Sequence, residues 1–381
     1  MKEIIKNILY RFHLEKTEEN HLIADINRDY TRKQKKILIC YLDYMRTCRE
    51  LRHNFGHTNR MEMMQMIRGC IINDWAVDVC SCYDKRACQE IRQDYYDYIL
   101  GFGETFKYAC QVNPEALSII YMTENPYSVS LERESARIAY FKKRRGRDFP
   151  LERTGYYYHE NDERNADKVL CLGDARYFEN IQKDVVRIWP SAPKNPQFQL
   201  NFEKKDIKSF LVYGVDGFVH KGNDLLIEVF AKHSDWTLFM CGKGGKEKAK
   251  KAGYELPANV HAMEYVDTLS EQFIEIADQC YFLLLPSCSE APSTAVLTAM
   301  RHGVLPVVSK GIGLDALTEY CRYFEDFSIP KIEEKLEEII SEDETCLQRQ
   351  SLQAMTYADE HFNLHTFTES FQNALIQLTG I

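Results

Sequence analysis

Residues 285–309 read LPSCSEAPSTAVLTAMRHGVLPVVS. The apolar run CYFLLLPS (280–287) leads into a short polar loop, the small residues Ser293, Thr294 and Ala295 open a helix-like stretch STAVLTAMRHG (293–303), and VLPVVSK (304–310) resumes an apolar run. At the helix start after Pro292 the first backbone N–H groups have no intrahelical partner and face the loop, the arrangement that holds an anion. Glu290 stands just before that start. Its carboxylate is placed either to accept hydrogen bonds from a ligand's hydroxyls or to sit exposed, favoured by the helix dipole.

The same alternation extends outward in both directions. Upstream lie the apolar runs SFLVYG (209–214), WTLFMCG (236–242) and NVHAMEYV (259–266), separated by helix-like HKGNDLLIEVFAKH (220–233), GKEKAKKAG (245–253) and SEQFIEIADQ (270–279). A break at SAPKNPQFQLNFEKKD (191–206), rich in Pro, Asn and Lys, reads as a linker. Before it a second series appears: KKILICYL (35–42), AVDVCSC (76–82), YDYILGFG (96–103), LSIIYMT (117–123), DKVLCLG (167–173) and VVRIWP (185–190), with helical stretches at 59–73 and 131–146. Near-continuous apolar strands alternating with helices imply parallel sheets covered on both faces. The expected fold is α/β, two consecutive doubly wound, Rossmann-like domains facing a cleft. The expected boundaries are an N-terminal helix and connector over 1–34, a first domain over 35–200, a second over 201–345, and C-terminal helices over 346–381, the last crossing back to the first domain. Ligands of such sheets bind at the carboxyl ends of the strands.

The chain has 381 residues, 28% of them charged, and a net charge of −9, which disfavours the broad basic footprint a nucleic-acid binder needs. Thirteen cysteines are scattered without a C-x-x-C pair and read as small buried hydrophobes of a reducing compartment. MKEIIKNILYRFHLEK carries charges at nearly every turn and reads as no secretory leader; Ile4, Ile5, Ile8, Leu9 and Phe12 share a helical face, suited to packing on the protein or to a membrane surface. No apolar run approaches the roughly 20 residues of a membrane span. The expected location is cytoplasmic. The dense basic run Lys142 to Arg147 reads either as a contact for anionic lipid at the inner membrane face or as a solvated helix end that complements its dipole.

The segment from about 205 to 310 resembles the C-terminal half of GT-B glycosyltransferases, most nearly the family 4-like group, in the order and spacing of its motifs. GFVHKGNDLLIEVFAKH (217–233) is similar to that family's K-G-x-x-x-L-(I/L)-x-A-F helix, MCGKG (240–244) and HAMEYVD (261–267) follow in order, and the P-S-x-x-E loop precedes a G-x-P-V-V strand. The resemblance implies that Lys221 neutralises a donor diphosphate, that the helix start at Pro292, Ser293, Thr294 and Ala295 cradles it, and that Tyr265 and Val266 form a base pocket. It also implies that Gly242 and Lys243 line the donor site, and that Glu290 binds the donor sugar. Two positions depart from the pattern. Thr298 stands where the family has a second glutamate, and the arginine that normally precedes K-G is missing, leaving His220 and Lys243 as substitutes.

The first half is similar to a bacterial subgroup with H-T-N and H-K-G motifs. His57, Thr58 and Asn59 begin a helix at the end of the first strand, with Asn59 as its cap and His57 toward the cleft, as a phosphate or acceptor contact or as a loop histidine supporting the cap. Gly101-Phe102-Gly103 lacks the third glycine of a dinucleotide fingerprint and reads as allowing close approach of the acceptor or the facing domain. Glu124 is an acceptor contact or a turn former. His53/His57 and His361/His365 have i,i+4 spacing without an H-E-x-x-H glutamate, and no D-x-D is present, so no metal and no cofactor are expected. The expected function is hexosyl transfer from a nucleoside diphosphate sugar, uridine-linked, to a glycan or lipid-linked acceptor, metal-independent and with retention. A nucleotide-sugar epimerase and a non-catalytic binding protein are the alternatives.

Overall fold

The computed structural model describes residues 21–27, 35–51 and 58–380; the amphipathic stretch at the N-terminus and His57 lie outside them. Two sheets, parallel but for one edge strand of the first, form the frame. The first contains β1 (Leu22–Ile23), β2 (Lys35–Tyr41), β3 (Trp75–Ser81), β4 (Tyr98–Gly101), β5 (Leu117–Met122), β6 (Lys168–Leu172) and β7 (Val185–Ile188), in the order β1-β3-β2-β4-β5-β6-β7. The second contains β8 (Asp206–Tyr213), β9 (Thr237–Cys241), β10 (Val260–Met263), β11 (Cys280–Leu285), β12 (Leu305–Ser309) and β13 (Arg322–Phe324), in the order β10-β9-β8-β11-β12-β13. Numbered within that sheet the order is 3-2-1-4-5-6, the doubly wound arrangement whose switch point lies between its first and fourth strands. Here those are β8 and β11; the matching reversal in the first sheet lies between β2 and β4.

β11, CYFLLL, is buried at all six positions, as a central strand covered on both faces must be. Part of the expected connector is instead sheet: β1 pairs antiparallel with β3, and Ile26 beyond it is buried. Two residues of strand in a polar stretch give no periodic signal, which is why this edge was not legible.

Each sheet carries its own hydrophobic core, and each core takes in a helix from the other side of the linker. Phe367, Phe371, Ala374, Leu375 and Leu378, from the last helix Leu364–Thr379, pack into the core of the first sheet. Phe141, from the helix Tyr127–Arg145 that joins β5 toward β6, packs into the core of the second. The linker is anchored by Glu62, which accepts from the Ser191 backbone N–H at 2.6 Å and from its hydroxyl at 3.1 Å. Burial pushes this carboxyl up to about 7 despite both bonds. Among the described residues no helix is long and apolar enough to cross a membrane.

Candidate functional site

Two loops leave the switch point of the second sheet, one after β8 and one after β11, and they meet through Lys221 and Glu290. Lys221 Nζ lies 2.5 Å from Glu290 Oε1, and the Ser287 hydroxyl donates to the same oxygen at 3.1 Å. Both charged side chains are 11% exposed, enough to remain open to the cleft. Burial pushes the Glu290 carboxyl up, but Lys221, Arg153 and His220 outweigh it and hold the group below the usual carboxylate range. The helix Thr294–Met300 begins beside the pair: no side chain caps its first turn, Ser293 is buried, and Thr294 and Ala295 are half-buried.

The first lobe reaches directly into this site. The helix Tyr127–Arg145 and the loop after it supply a chain of carboxylates seated on backbone amides. Glu134 accepts from the N–H groups of Glu152, Arg153 and Thr154 at 2.7, 3.1 and 2.8 Å. Glu152 in turn accepts from Phe218, Val219 and His220 at 2.9, 2.7 and 3.0 Å, filling the amide nest of the loop after β8. Arg137, fully buried, donates to the carbonyls of Pro286 at 2.6 Å and Val219 at 3.4 Å and so ties both site loops together. Asn125 donates to the Ser289 hydroxyl at 3.0 Å. The guanidinium of Arg153 pairs with Glu124, its aliphatic stem packs on Gly217, and its charge acts on Glu290 across the cleft. Burial raises the Glu124 carboxyl against the pull of Arg153.

Several residues singled out from the sequence have partners within the fold. His220 is not a free cation beside Lys221. It is buried, its Nε2 donates to the Ser289 carbonyl at 2.5 Å, and its Nδ1 lies 3.2 Å from Glu134 Oε1. A carbonyl only accepts, so Nε2 carries a proton, and the carboxylate at Nδ1 favours the second one. Thr298 is buried and its hydroxyl donates to the Thr294 carbonyl at 2.7 Å, one helical turn back, so its proton is already used. Pro292 packs against Gly173 and Gly313, where it wedges between loops of the two lobes. Val266 is buried, with its carbonyl accepting from the Tyr213 hydroxyl at 2.5 Å, whereas Tyr265 and Lys243 are exposed. Gly242 lets the end of β9 approach Val215, which a Cβ would meet at 2.6 Å.

On the first lobe the two glycines of the G-F-G loop lie against neighbouring strand ends. A Cβ on Gly101 would lie 1.9 Å from the Cys40 carbonyl oxygen, and one on Gly103 2.8 Å from that of Cys82, so both glycines permit close approach of neighbouring strand ends. Phe102 between them is buried. The helix Thr58–Ile72 already includes Asn59, which is exposed in its first turn, so Asn59 is not the cap. The basic run Lys142 to Arg147 is largely spent on the second lobe: Arg144 pairs with Asp224 and Glu228, Arg145 donates to the Gly253 carbonyl at 2.5 Å and Arg147 to that of Lys251 at 3.1 Å. Arg153 was missed because no spacing links it to Lys221, 68 positions on in the sequence.

Residues 194–351 match the model of the family described as glycosyl transferases group 1. Among solved structures the chain is similar to a sucrose-phosphate synthase from Thermosynechococcus elongatus, at TM-score 0.61 and 13% identity over 91% of this chain and 100% of that one. It is also similar to WaaG, a glycosyltransferase involved in lipopolysaccharide biosynthesis, at TM-score 0.58 and 17% identity over 91% and 100%. A third likeness is to Anabaena Alr3699/HepE in complex with UDP and glucose, at TM-score 0.54 and 12% identity over 90% and 99%. No curated protein matches the chain in sequence. The two α/β domains have the GT-B architecture of these structures.

Proposed function

We propose that the protein is a glycosyltransferase that moves a hexose-type sugar from a nucleoside diphosphate, uridine-linked, to a glycan or lipid-linked acceptor, without a metal and with retention of configuration. The Lys221–Glu290 pair carries this reading: a cation and a carboxylate at a doubly wound switch point, inside the segment that matches glycosyl transferases group 1. The likeness to a structure holding UDP and glucose supports the donor class.

When the bond from the sugar's anomeric carbon to the diphosphate breaks, its electron pair stays on the leaving oxygen and negative charge grows there. Lys221 and Arg153 are the cations at hand, and the uncapped amides at Thr294 and Ala295 add fixed dipoles. Arg153 would thereby supply from the first lobe the charge that the loop after β8 lacks. Glu290 would hold donor hydroxyls, and the acceptor oxygen would bond to the anomeric carbon on the face the diphosphate leaves, its proton passing to the leaving phosphate. Such a route asks the protein for orientation and charge stabilisation, with no protein nucleophile.

Thermal unfolding against UDP, GDP, ADP and their sugar conjugates tests this. A ligand held only by the folded protein stabilises it by about 2.7 kcal/mol at 100 times its Kd. A uridine-specific rise that Lys221→Ala abolishes is expected. Glu290→Gln frees Lys221 from its partner, so UDP affinity should hold or tighten while turnover falls on the order of 10²-fold. A flat response across the panel would remove the donor assignment.

A further inference from the structure

Two of the exposed aromatic side chains stand together beside Tyr157, which neighbours Arg153. Tyr83, in the turn after β3, and Tyr156, in the loop after the helix Tyr127–Arg145, are 51% and 65% exposed. Both are nonetheless held in place. Tyr83 lies 6.2 Å, ring to ring, from Tyr156 and from Tyr157, and Tyr156 meets Tyr157 edge-on at 4.7 Å. Tyr157 meets Phe102 at 5.9 Å, and Phe102 rests on buried Tyr158 at 5.0 Å and buried Tyr41 at 5.8 Å. The exposed rings are therefore the outer members of an aromatic cluster, its rings tilted or edge-on to one another, that is rooted in the core, and apolar faces held in place at the surface mark a binding surface.

The cluster borders the site described above. The Arg153 guanidinium lies 5.5 Å from the Tyr157 ring centre and pairs with Glu124, and Gly103, beside Phe102, abuts Cys82, beside Tyr83. We propose that Tyr83 and Tyr156 form a stacking platform for a sugar ring of the acceptor, so that the group receiving the transferred sugar is a glycan; this rests on the transferase reading. A pyranose has an apolar face of C–H bonds, which the electron-rich face of an aromatic ring attracts, and a rim of hydroxyls that carboxylates and guanidinium groups hold. Charge argues for a neutral occupant. Lys107, in the adjoining cavity of about 480 Å³, is paired with Asp162 at 2.9 Å. A phosphate or lipid headgroup would have to break that pair, whereas hydroxyls bridge it.

Saturation-transfer NMR in the presence of UDP tests the platform, with methyl β-D-glucopyranoside, methyl β-D-galactopyranoside and N-acetylglucosamine as probes. At least one probe should receive saturation at its ring C–H protons. The double variant Tyr83→Ala/Tyr156→Ala should bind it about tenfold more weakly, and Tyr83→Phe/Tyr156→Phe should retain it. An unchanged melting temperature shows that the alanine variant folds, and the UDP-induced rise on the same samples reports the donor site separately. Loss of the UDP response with probe saturation still dependent on the tyrosines would sink the donor reading and leave the platform standing. The platform is overturned if no probe is saturated by the wild type, if the alanine variant binds as well, or if the tyrosines govern binding to phosphatidylglycerol vesicles but not to the glycosides.

Discussion

His220 and Arg153 exchange the roles that their positions in the chain suggest. A histidine beside Lys221 looks like a ligand-facing cation, yet it is locked between Glu134 and the Ser289 carbonyl, and the cation that acts on Glu290 alongside Lys221 comes from the other lobe. Arg153→Ala should therefore weaken UDP binding by about tenfold, the scale of one charge-assisted hydrogen bond. Arg153→Lys should recover part of that loss, as isothermal titration would read; equal affinity in all three proteins would place Arg153 outside the donor site. The Glu134–His220 contact predicts a pH dependence. Burial pushes Glu134 up, but His220 and the loop amides outweigh it and hold the carboxyl at about 2, against an ordinary 4.5. Its contribution is complete above pH 4.5 and is lost as pH falls toward 2. Burial pushes His220 down, but Cys288 and Glu134 outweigh it and raise the imidazole from 6.5 to about 10. Its contribution is complete below pH 6.5 and is lost as pH rises through 10. Melting temperatures of the wild type and His220→Asn should thus differ most between pH 4.5 and 6.5 and converge toward pH 10. A constant gap would exclude a charged His220.

At the scale of elements, the strands and crossover helices were legible because burial on both faces of a parallel sheet writes itself into the local sequence. Each apolar run named from the sequence overlaps a strand of one sheet or the other, within a few residues. What those runs leave open is which loop residues serve the ligand and which serve the sheet. Gly101 belongs to the sheet: with φ at +143° and the Cys40 carbonyl where a Cβ would go, Gly101→Ala has neither an allowed backbone nor space. It should cost roughly 3 kcal/mol or more in denaturant unfolding. Gly146 ends the helix Tyr127–Arg145 at φ +65°, and a Cβ there would meet nothing within 4 Å. Gly146→Ala should cost only about 1–2 kcal/mol, the backbone penalty alone. Similar losses at the two positions would mean that strand approach is not what Gly101 provides.

Across the whole molecule the lobes are held together by exchanged helices. Phe371 follows the entire second sheet in the chain, yet it is fully buried in the core of the first. Phe371→Ala should cost about 3–5 kcal/mol. Hydrogen exchange should show the lost protection in residues 35–190 more than in 206–340; the reverse pattern would contradict the docking of the last helix. At the other end of the interface, Arg144 reaches Asp224 and Glu228 and Arg137 reaches both site loops, so the geometry of the donor side depends on a helix from the first lobe. Loss of orientation is costly when reacting atoms must meet within a few tenths of an ångström, which makes this interface part of the site's design.

Periodicity is a local property, set by which faces of a strand or helix are covered, so the sequence alone determined two doubly wound domains and the loop–helix segment around Glu290. The partner of a charge is not local. That Lys221 holds Glu290, that Glu152 fills the amides at 218–220, that His220 is buried and that the charge of Arg153 reaches Glu290 all depend on contacts between residues 66–69 positions apart or more. Only the tertiary structure decided these, because such charges find their places through packing of elements that the chain itself keeps far apart.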